Sequence, residues 1–206
     1  LVLAIAVFAT YATLRSTATG RARDRVDRAT RQLATVGAAN IAAQQTRYTA
    51  VARESLVRRA LRGERVDPAG PLSRLSTAND SGMPVELWSR DGRRIAFVGN
   101  DVRSGMSIAP GRPELPERIA RAVAAPDSAL RDSIRYGPLY GEGGRVHFWI
   151  VMPVRDGTRL IGYIAHQRRI AQNATTMRTL RDLAGDSVSL YYRNVDGSFW
   201  ANAGGY

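Results

Sequence analysis

RVHFWIVMPVRDGTRLIGYIAHQRR, residues Arg145 to Arg169, is the stretch that decides the fold. Two apolar runs flank Arg155-Asp156-Gly157-Thr158, and Asp-Gly between strand-like runs is a strong hairpin signal, because the turn needs a positive φ that Gly adopts without strain. Strand alternation puts Val146, Phe148, Ile150, Met152 and Val154 on one face and His147, Trp149, Val151 and Pro153 on the other. Both faces are largely apolar, so both need cover. A turn centred on Asp156 and Gly157 sets His147 opposite His166, Trp149 opposite Ile164 and Ile150 opposite Tyr163. The chain's two histidines then become cross-strand neighbours.

Toward the N-terminus, Pro84 to Asn100 reads PVELWSRDGRRIAFVGN, a second hairpin about Asp91-Gly92 in which Val85 and Leu87 alternate with Glu86 and Trp88. Between the hairpins, Leu115, Ile119 and Val123 mark one buried stripe of a helix from Pro113 to Ala125. Ser128 to Tyr136 is a short polar segment. Gly137 to Gly144, GPLYGEGG, reads as a turn-rich loop, and without a Lys or a following helix its glycines are a connection rather than a phosphate cradle. Beyond the central hairpin, Met177, Leu180 and Leu183 define a helix from Asn173 to Ala184 with Gly185 as its stop. Val188, Leu190 and Tyr192 then alternate, and Val195-Asp196-Gly197-Ser198 turns into Phe199-Trp200.

The first third of the chain is helical in pattern. From about Thr19 to Leu61 there is no Pro, and Val26, Ala29, Leu33, Val36, Asn40 and Ala43 follow the three-four spacing of a coiled-coil seam with a polar residue at one core-type position. The phase slips near Arg47, after which Tyr48, Val51 and Leu56 carry the stripe. A dimer seam and a helix packed on its own domain both fit, and one long helix accommodates both. Gly63 suits a helix stop, and Asp67-Pro68-Ala69-Gly70-Pro71 reads as a loop. Leu1 to Leu14 carries no charge and no helix breaker, and is shorter than the ~20 residues that span a bilayer, so it is expected to be the outer end of a truncated transmembrane helix. Arg15 to Arg31 holds six Arg against Asp24 and Asp27, a cluster suited to anionic headgroups, although by the positive-inside rule it argues for a cytoplasmic side.

Composition narrows the function. The formal charge is +12, which invites a polyanion partner, yet all 30 basic residues are Arg and they are scattered along the chain, as a compositional bias would leave them. The lack of Lys excludes Walker-type phosphate loops and Schiff-base chemistry, and the lack of Cys excludes thiol catalysis, disulfides and Cys-ligated zinc. No Gly-x-Ser-x-Gly, no His-Glu-x-x-His and no conspicuous carboxylate pair occurs, so this span is not expected to be an enzyme.

Long helix, hairpin, helix, short strand, loop and strong hairpin is the layout of a PAS-like sensor domain. At VELWSRDGRRIAFVG and above all FWIVMPVRDGTRLIGYIA, behind a membrane-proximal long helix, the chain resembles the Cache family of extracytoplasmic sensor domains in bacterial receptors, sensor histidine kinases and cyclases. The family's last hairpin typically reads as an apolar strand ending in Pro-Val, a turn with Gly, and a strand with Ile-Gly. The resemblance implies an α+β fold: a PAS-like antiparallel sheet with a long N-terminal helix and a covering helix. SLYYRNVDGSFW echoes ELWSRDGRRIAF, which implies the start of a second αβ module, as in a double Cache arrangement. The expected organisation is residues 1–14 as the end of a transmembrane helix, 15–63 as a long juxtamembrane helix, 64–169 as the PAS-like domain, and 170–206 as a helix and the start of the second module.

The implied function is to bind a small molecule of unknown identity and to signal through helices to a cytoplasmic output domain. The implied partners are the membrane and a second copy of the chain along the long helix, with no nucleic acid and no cofactor. The Arg-then-Trp-Tyr motif of the amino-acid-binding Cache subfamily is absent, Arg135-Tyr136 being the nearest approach. Candidate ligand-binding residues are Arg135, Tyr136 and Tyr140, an Arg for a carboxylate and rings to wall a pocket, together with His147, Trp149 and His166 on a shared pocket face. Each has a plainer reading: a solvated Arg, loop aromatics packed locally, Trp88 and Trp149 as core, and a histidine pair too small to hold a metal. The competing function is a basic membrane-anchored module that binds anionic lipid, nucleic acid or cell-wall polymer.

Overall fold

The computed structural model describes residues 2–76, 82–99, 132–170 and 191–202. The expected helices at Pro113 to Ala125 and Asn173 to Ala184 fall outside them. The chain divides into two compact units, Leu1–Ile41 with Gln172–Leu190, and Ala42–Ala171 with Tyr191–Tyr206. In the first, the described part is helix α1, which spans Val2–Arg53 and runs on into the second unit. Within it, Val26, Asn40 and Ala43 of the expected seam are exposed and Ala29 is buried. Among the described residues no helix is long and apolar enough to cross a membrane.

The second unit holds the sheet. Its strands are β1 (Val85–Ser89), β2 (Arg94–Val98), β3 (Arg135–Tyr136), β4 (Tyr140–Glu142), β5 (Arg145–Asp156) and β6 (Arg159–Arg169), in the order β2-β1-β6-β5-β3, with β4 also on β5. All described pairings in this sheet are antiparallel. The two hairpins read from the sequence are therefore present and adjacent, β1 against β6, with the long hairpin at the centre. A separate pair, β7 (Tyr191–Arg193) and β8 (Trp200–Asn202), forms where the strand-turn-strand of the C-terminal segment was expected. This is an α+β fold with a PAS-like antiparallel sheet and a long N-terminal helix.

The long helix is interrupted where the sequence reading carried it through. Glu54 is extended (φ −60°, ψ 134°), and a second helix, α2, covers Ser55–Leu61. The cause is phase. At about 100° per residue, Tyr48, Val51 and Ala52 share one side of a continuous helix, whereas Val57 and Ala60 would project on roughly the opposite side. All five are buried in one core with Leu72, Leu75, Val85, Leu87, Ile150, Met152, Val154 and Ile164, so the axis must bend between them. At the end of α2, Gly63 (φ +85°) donates to Ala60 O and Glu64 donates to Arg59 O, a Schellman stop at the position read from the sequence.

Two stretches expected to be loops carry structure. Ala69–Ser73 is a short helix, α3, started by the Asp67 carboxylate accepting from Ala69 N–H and held by Leu72 and Leu75, both fully buried. Within GPLYGEGG, Tyr140–Glu142 is a strand, and Gly143 and Gly144, both with positive φ, make the two-residue turn into β5.

The central register also differs from the expected one. Asp156 pairs with Arg159, so the turn is Gly157-Thr158, and the pairing slips again between Val154 and Arg155. Moving the turn by one residue preserves which side chains share a face, but the bulge changes parity. His147 consequently pairs with Arg169, and His166 with Ile150. The two histidines stand on opposite faces of the sheet, which corrects their expected pairing and the shared pocket face assigned to His147, Trp149 and His166.

Candidate functional site

The two faces of the sheet have different chemistry. The face under α1 and α2 is the apolar core already described, crossed by a buried polar contact. Tyr48 Oη and His166 Nδ1 are 2.6 Å apart, with His166 fully buried. Burial, reinforced by the guanidinium groups of Arg168 and Arg47, pushes the imidazole down to about 3, so it is neutral at ordinary pH. Only one ring nitrogen is used, since Nε2 has no hydrogen-bond partner.

The opposite face collects polar groups among aromatic ones. Strand pairing lays its side chains in transverse rows. One row runs Arg135, Val151, Ala165, Glu86, Phe97 across β3, β5, β6, β1 and β2. On one side of it stand Trp149 and Gln167, then Tyr140, His147 and Arg169. On the other side stand Pro153, Tyr163, Trp88 and Arg94. The small residues Val151 and Ala165 thus form a floor between two bulkier rows. The Cα atoms of Arg135 and Glu86, at its ends, are three strand spacings apart, about 14 Å.

Among the described residues, three polar side chains are buried on this face: Glu86 (1% exposed), Gln167 (5%) and His147 (6%). Glu86 accepts from Trp88 Nε1 at 2.8 Å and from Arg94 at 3.2 Å. Each carboxylate oxygen therefore has one donor, and a carboxylate has room for about four. The Gln167 amide donates to Tyr140 Oη at 2.7 Å and lies 3.3 Å from Glu142 Oε2. His147 stacks on Tyr140 with ring centroids 5.8 Å apart, and its Nδ1 has no partner. Burial lowers its affinity for a proton, opposed by the Glu142 carboxylate. Burial likewise raises the Tyr163 phenol, against the nearby charges of Arg135, Arg90 and Arg155. The face can therefore offer a hydrogen-bonding ligand a neutral imidazole, an amide, a carboxylate and flat apolar walls, with cationic groups toward the β3 edge.

Of the residues singled out from the sequence, Tyr140, His147 and Trp149 come together here, and Arg135 stands at the edge of the same face. Tyr136 and His166 do not join them. Tyr136 pairs with Ile150 on the helix side, with its ring 6.1 Å from that of Phe148, and its hydroxyl reaches Gln44 at 3.3 Å. Glu86, Trp88 and Gln167 complete the arrangement. Neither Glu86 nor Gln167 was singled out from the sequence, where the one signal each carried was that of a polar residue within an apolar strand. Among the described residues no group of three or more His, Asp or Glu is placed to hold a metal ion.

No protein-family model matches the chain, and no curated protein matches it. Among solved structures it is similar to the ligand-binding domain of the amino acid chemoreceptor PctC of Pseudomonas aeruginosa, determined in complex with GABA. The two are 18% identical, over 79% of this chain and 69% of that one, with a TM-score of 0.38. What relates this chain to the expected PAS-like architecture is its own antiparallel sheet and long helix.

Proposed function

We propose that this chain is the extracytoplasmic ligand-sensing domain of a membrane-bound signal-transduction receptor, periplasmic in placement and of the kind that feeds a sensor histidine kinase in a two-component system. The ligand is a small molecule held on the Val151–Ala165 floor, within reach of Arg135, Tyr140, His147, Trp149, Glu86 and Gln167. The observation that carries this reading is the burial of Glu86, His147 and Gln167 on one sheet face while the other face is almost wholly apolar. Polar groups are costly to bury, and a sheet face that only needed cover would not collect them. Signalling requires the ligand to prefer one arrangement of the sheet against α1, which then passes the change along its length and across a dimer seam at Val26, Ala29, Leu33, Val36, Asn40 and Ala43.

The test is a melting screen of the purified chain against organic acids, amines and nucleobases. A ligand at one hundred times its Kd adds about 2.7 kcal/mol. That raises the melting temperature by roughly 5–10 °C for a chain of this size. Trp149→Ala and Glu86→Gln should abolish the shift while the unliganded protein still melts cooperatively. A screen with no stabilising compound, or a shift that survives both substitutions, refutes the placement.

The charge supports a second reading, a basic membrane-anchored module for anionic lipid, nucleic acid or cell-wall polymer, because Arg15 to Arg31 carries six Arg. Binding to a polyanion that weakens steeply between low and moderate salt would favour it.

A further inference from the structure

We propose that the Tyr48–His166 hydrogen bond is a register pin: it fixes where α1 sits along the sheet, and it contributes position rather than stability. The layer it crosses is otherwise apolar, built from Val51, Ala52, Val57, Ala60, Val85, Leu87, Ile150, Met152, Val154 and Ile164. Apolar contacts are non-directional, and a slide of α1 by one turn, about 5.4 Å, would exchange Tyr48 for Gln44 or Ala52 with much of the contact remade. A hydrogen bond of 2.6 Å between fully buried partners admits one position.

The other directional contacts in this part of α1 differ in kind. Gln45 accepts from Ile134 N–H at 2.8 Å and donates to Asp132 O at 2.9 Å, and Arg47 donates to Arg74 O at 2.8 Å and Leu75 O at 2.9 Å. Those contacts, like the 3.3 Å one from the Tyr136 hydroxyl of edge strand β3 to Gln44, lie at exposed or half-buried places, where water competes and the partners can follow the helix. Tyr48 instead reaches a central strand where water does not compete. His166 also keeps Nε2 without a partner, although it is fully buried. A residue retained for stability alone would be apolar there or fully hydrogen-bonded, since an apolar replacement of a buried polar pair is often neutral or stabilising. The pin acts on β6, whose flanking residues Ala165 and Gln167 face the candidate site, so α1 is tied to the strand that carries the site.

The experiment uses the full 206-residue chain, which has no Cys of its own. Spin labels are placed through Ala50→Cys on α1 and Arg159→Cys on β6, both exposed positions. Electron–electron dipolar distances are then compared between the parent and the Tyr48→Phe/His166→Leu variant. The parent should give one narrow distance. The variant should melt at the same or a higher temperature yet give a broadened or second distance, displaced by about 5 Å for a one-turn slide. A variant that keeps the parent's single distance overturns the proposal. Because Leu can misfit, Tyr48→Phe/His166→Met is run beside it, Met being the more adaptable side chain. If neither variant melts cooperatively, the pair carries stability and the proposal fails. None of these readouts involves a ligand, so the outcome is independent of the sensing reading.

Discussion

Gly162 makes a demanding test of the sheet packing. It lies in β6 opposite Ser89 of β1 and Val154 of β5, and its backbone dihedral is an ordinary one, so space alone requires glycine there. A methyl group at this position would meet Leu61 Cδ2 at 2.6 Å and Cδ1 at 3.1 Å, and would lie closer still to the Trp88 carbonyl oxygen. Ordinary carbon–carbon contact is about 3.5–4.0 Å, so the neighbours must give by about 1 Å. Leu61 can turn aside at the end of α2, but the Trp88 oxygen belongs to the backbone of β1 and moves only with the strand. Overpacking of this kind costs about 1–3 kcal/mol. Lower unfolded-state entropy returns roughly 0.4–1 kcal/mol of that for a Gly-to-Ala change. The net expectation for Gly162→Ala is a loss of about 1–2 kcal/mol, or roughly 2–8 °C in melting temperature. Urea denaturation of both proteins measures it, with Gly162→Ala/Leu61→Ala as the control that relieves the side-chain clash and leaves the backbone one. Unchanged stability in Gly162→Ala would refute the packing of β1 on β6, and full rescue by Leu61→Ala would refute the part assigned to the Trp88 carbonyl.

Three further outcomes follow from the same contacts. Tyr48→Phe alone strands a second nitrogen of buried His166 and should cost about 1–3 kcal/mol in urea denaturation, in contrast to the apolar pair replacement. Stability should decline on acidification from about pH 6.5 toward the folded His166 value of about 3, because the unfolded state takes up a proton that the buried imidazole refuses. His166→Leu should flatten that slope, which approaches 1.4 kcal/mol per pH unit at most, as read from urea midpoints at pH 7 and pH 4.5. Asn194 accepts from Leu139 N–H at 2.7 Å and donates to Leu139 O at 3.0 Å. Asn194→Ala should therefore raise the amide exchange rate of Leu139 by at least tenfold while global stability falls by about 1–2 kcal/mol.

The parts of the fold whose signals are local could be read directly from the residues. Asp91-Gly92 and Gly157 announced two hairpins because a positive φ restricts the residue that can turn. Alternation in β5 separated Phe148, Ile150, Met152 and Val154 from His147, Trp149, Val151 and Pro153, as the sheet does. Gly63 marked the helix stop, and the Ile161-Gly162 pair that carried part of the Cache resemblance has its packing reason in the close approach of β1 and α2. In the candidate site, the grouping of Tyr140, His147 and Trp149 on one face was legible because one strand's alternation and one adjoining segment placed them.

Features that depend on two segments at once emerged from the packing. The bulge at Val154 and Arg155 changes which residues of β6 share a face with those of β5, and no local pattern encodes it. It separates His166 from His147, brings Gln167 beside Trp149, and turns a supposed histidine pair into a contact between the sheet and α1. The break at Glu54 is of the same kind. The phase slip was visible near Arg47, but the core shared by Tyr48 and Val57 is what forces the axis to bend there. Glu86 reached the site by the pairing of β1 with β6, a contact across some eighty residues of chain that a periodicity of two cannot foretell.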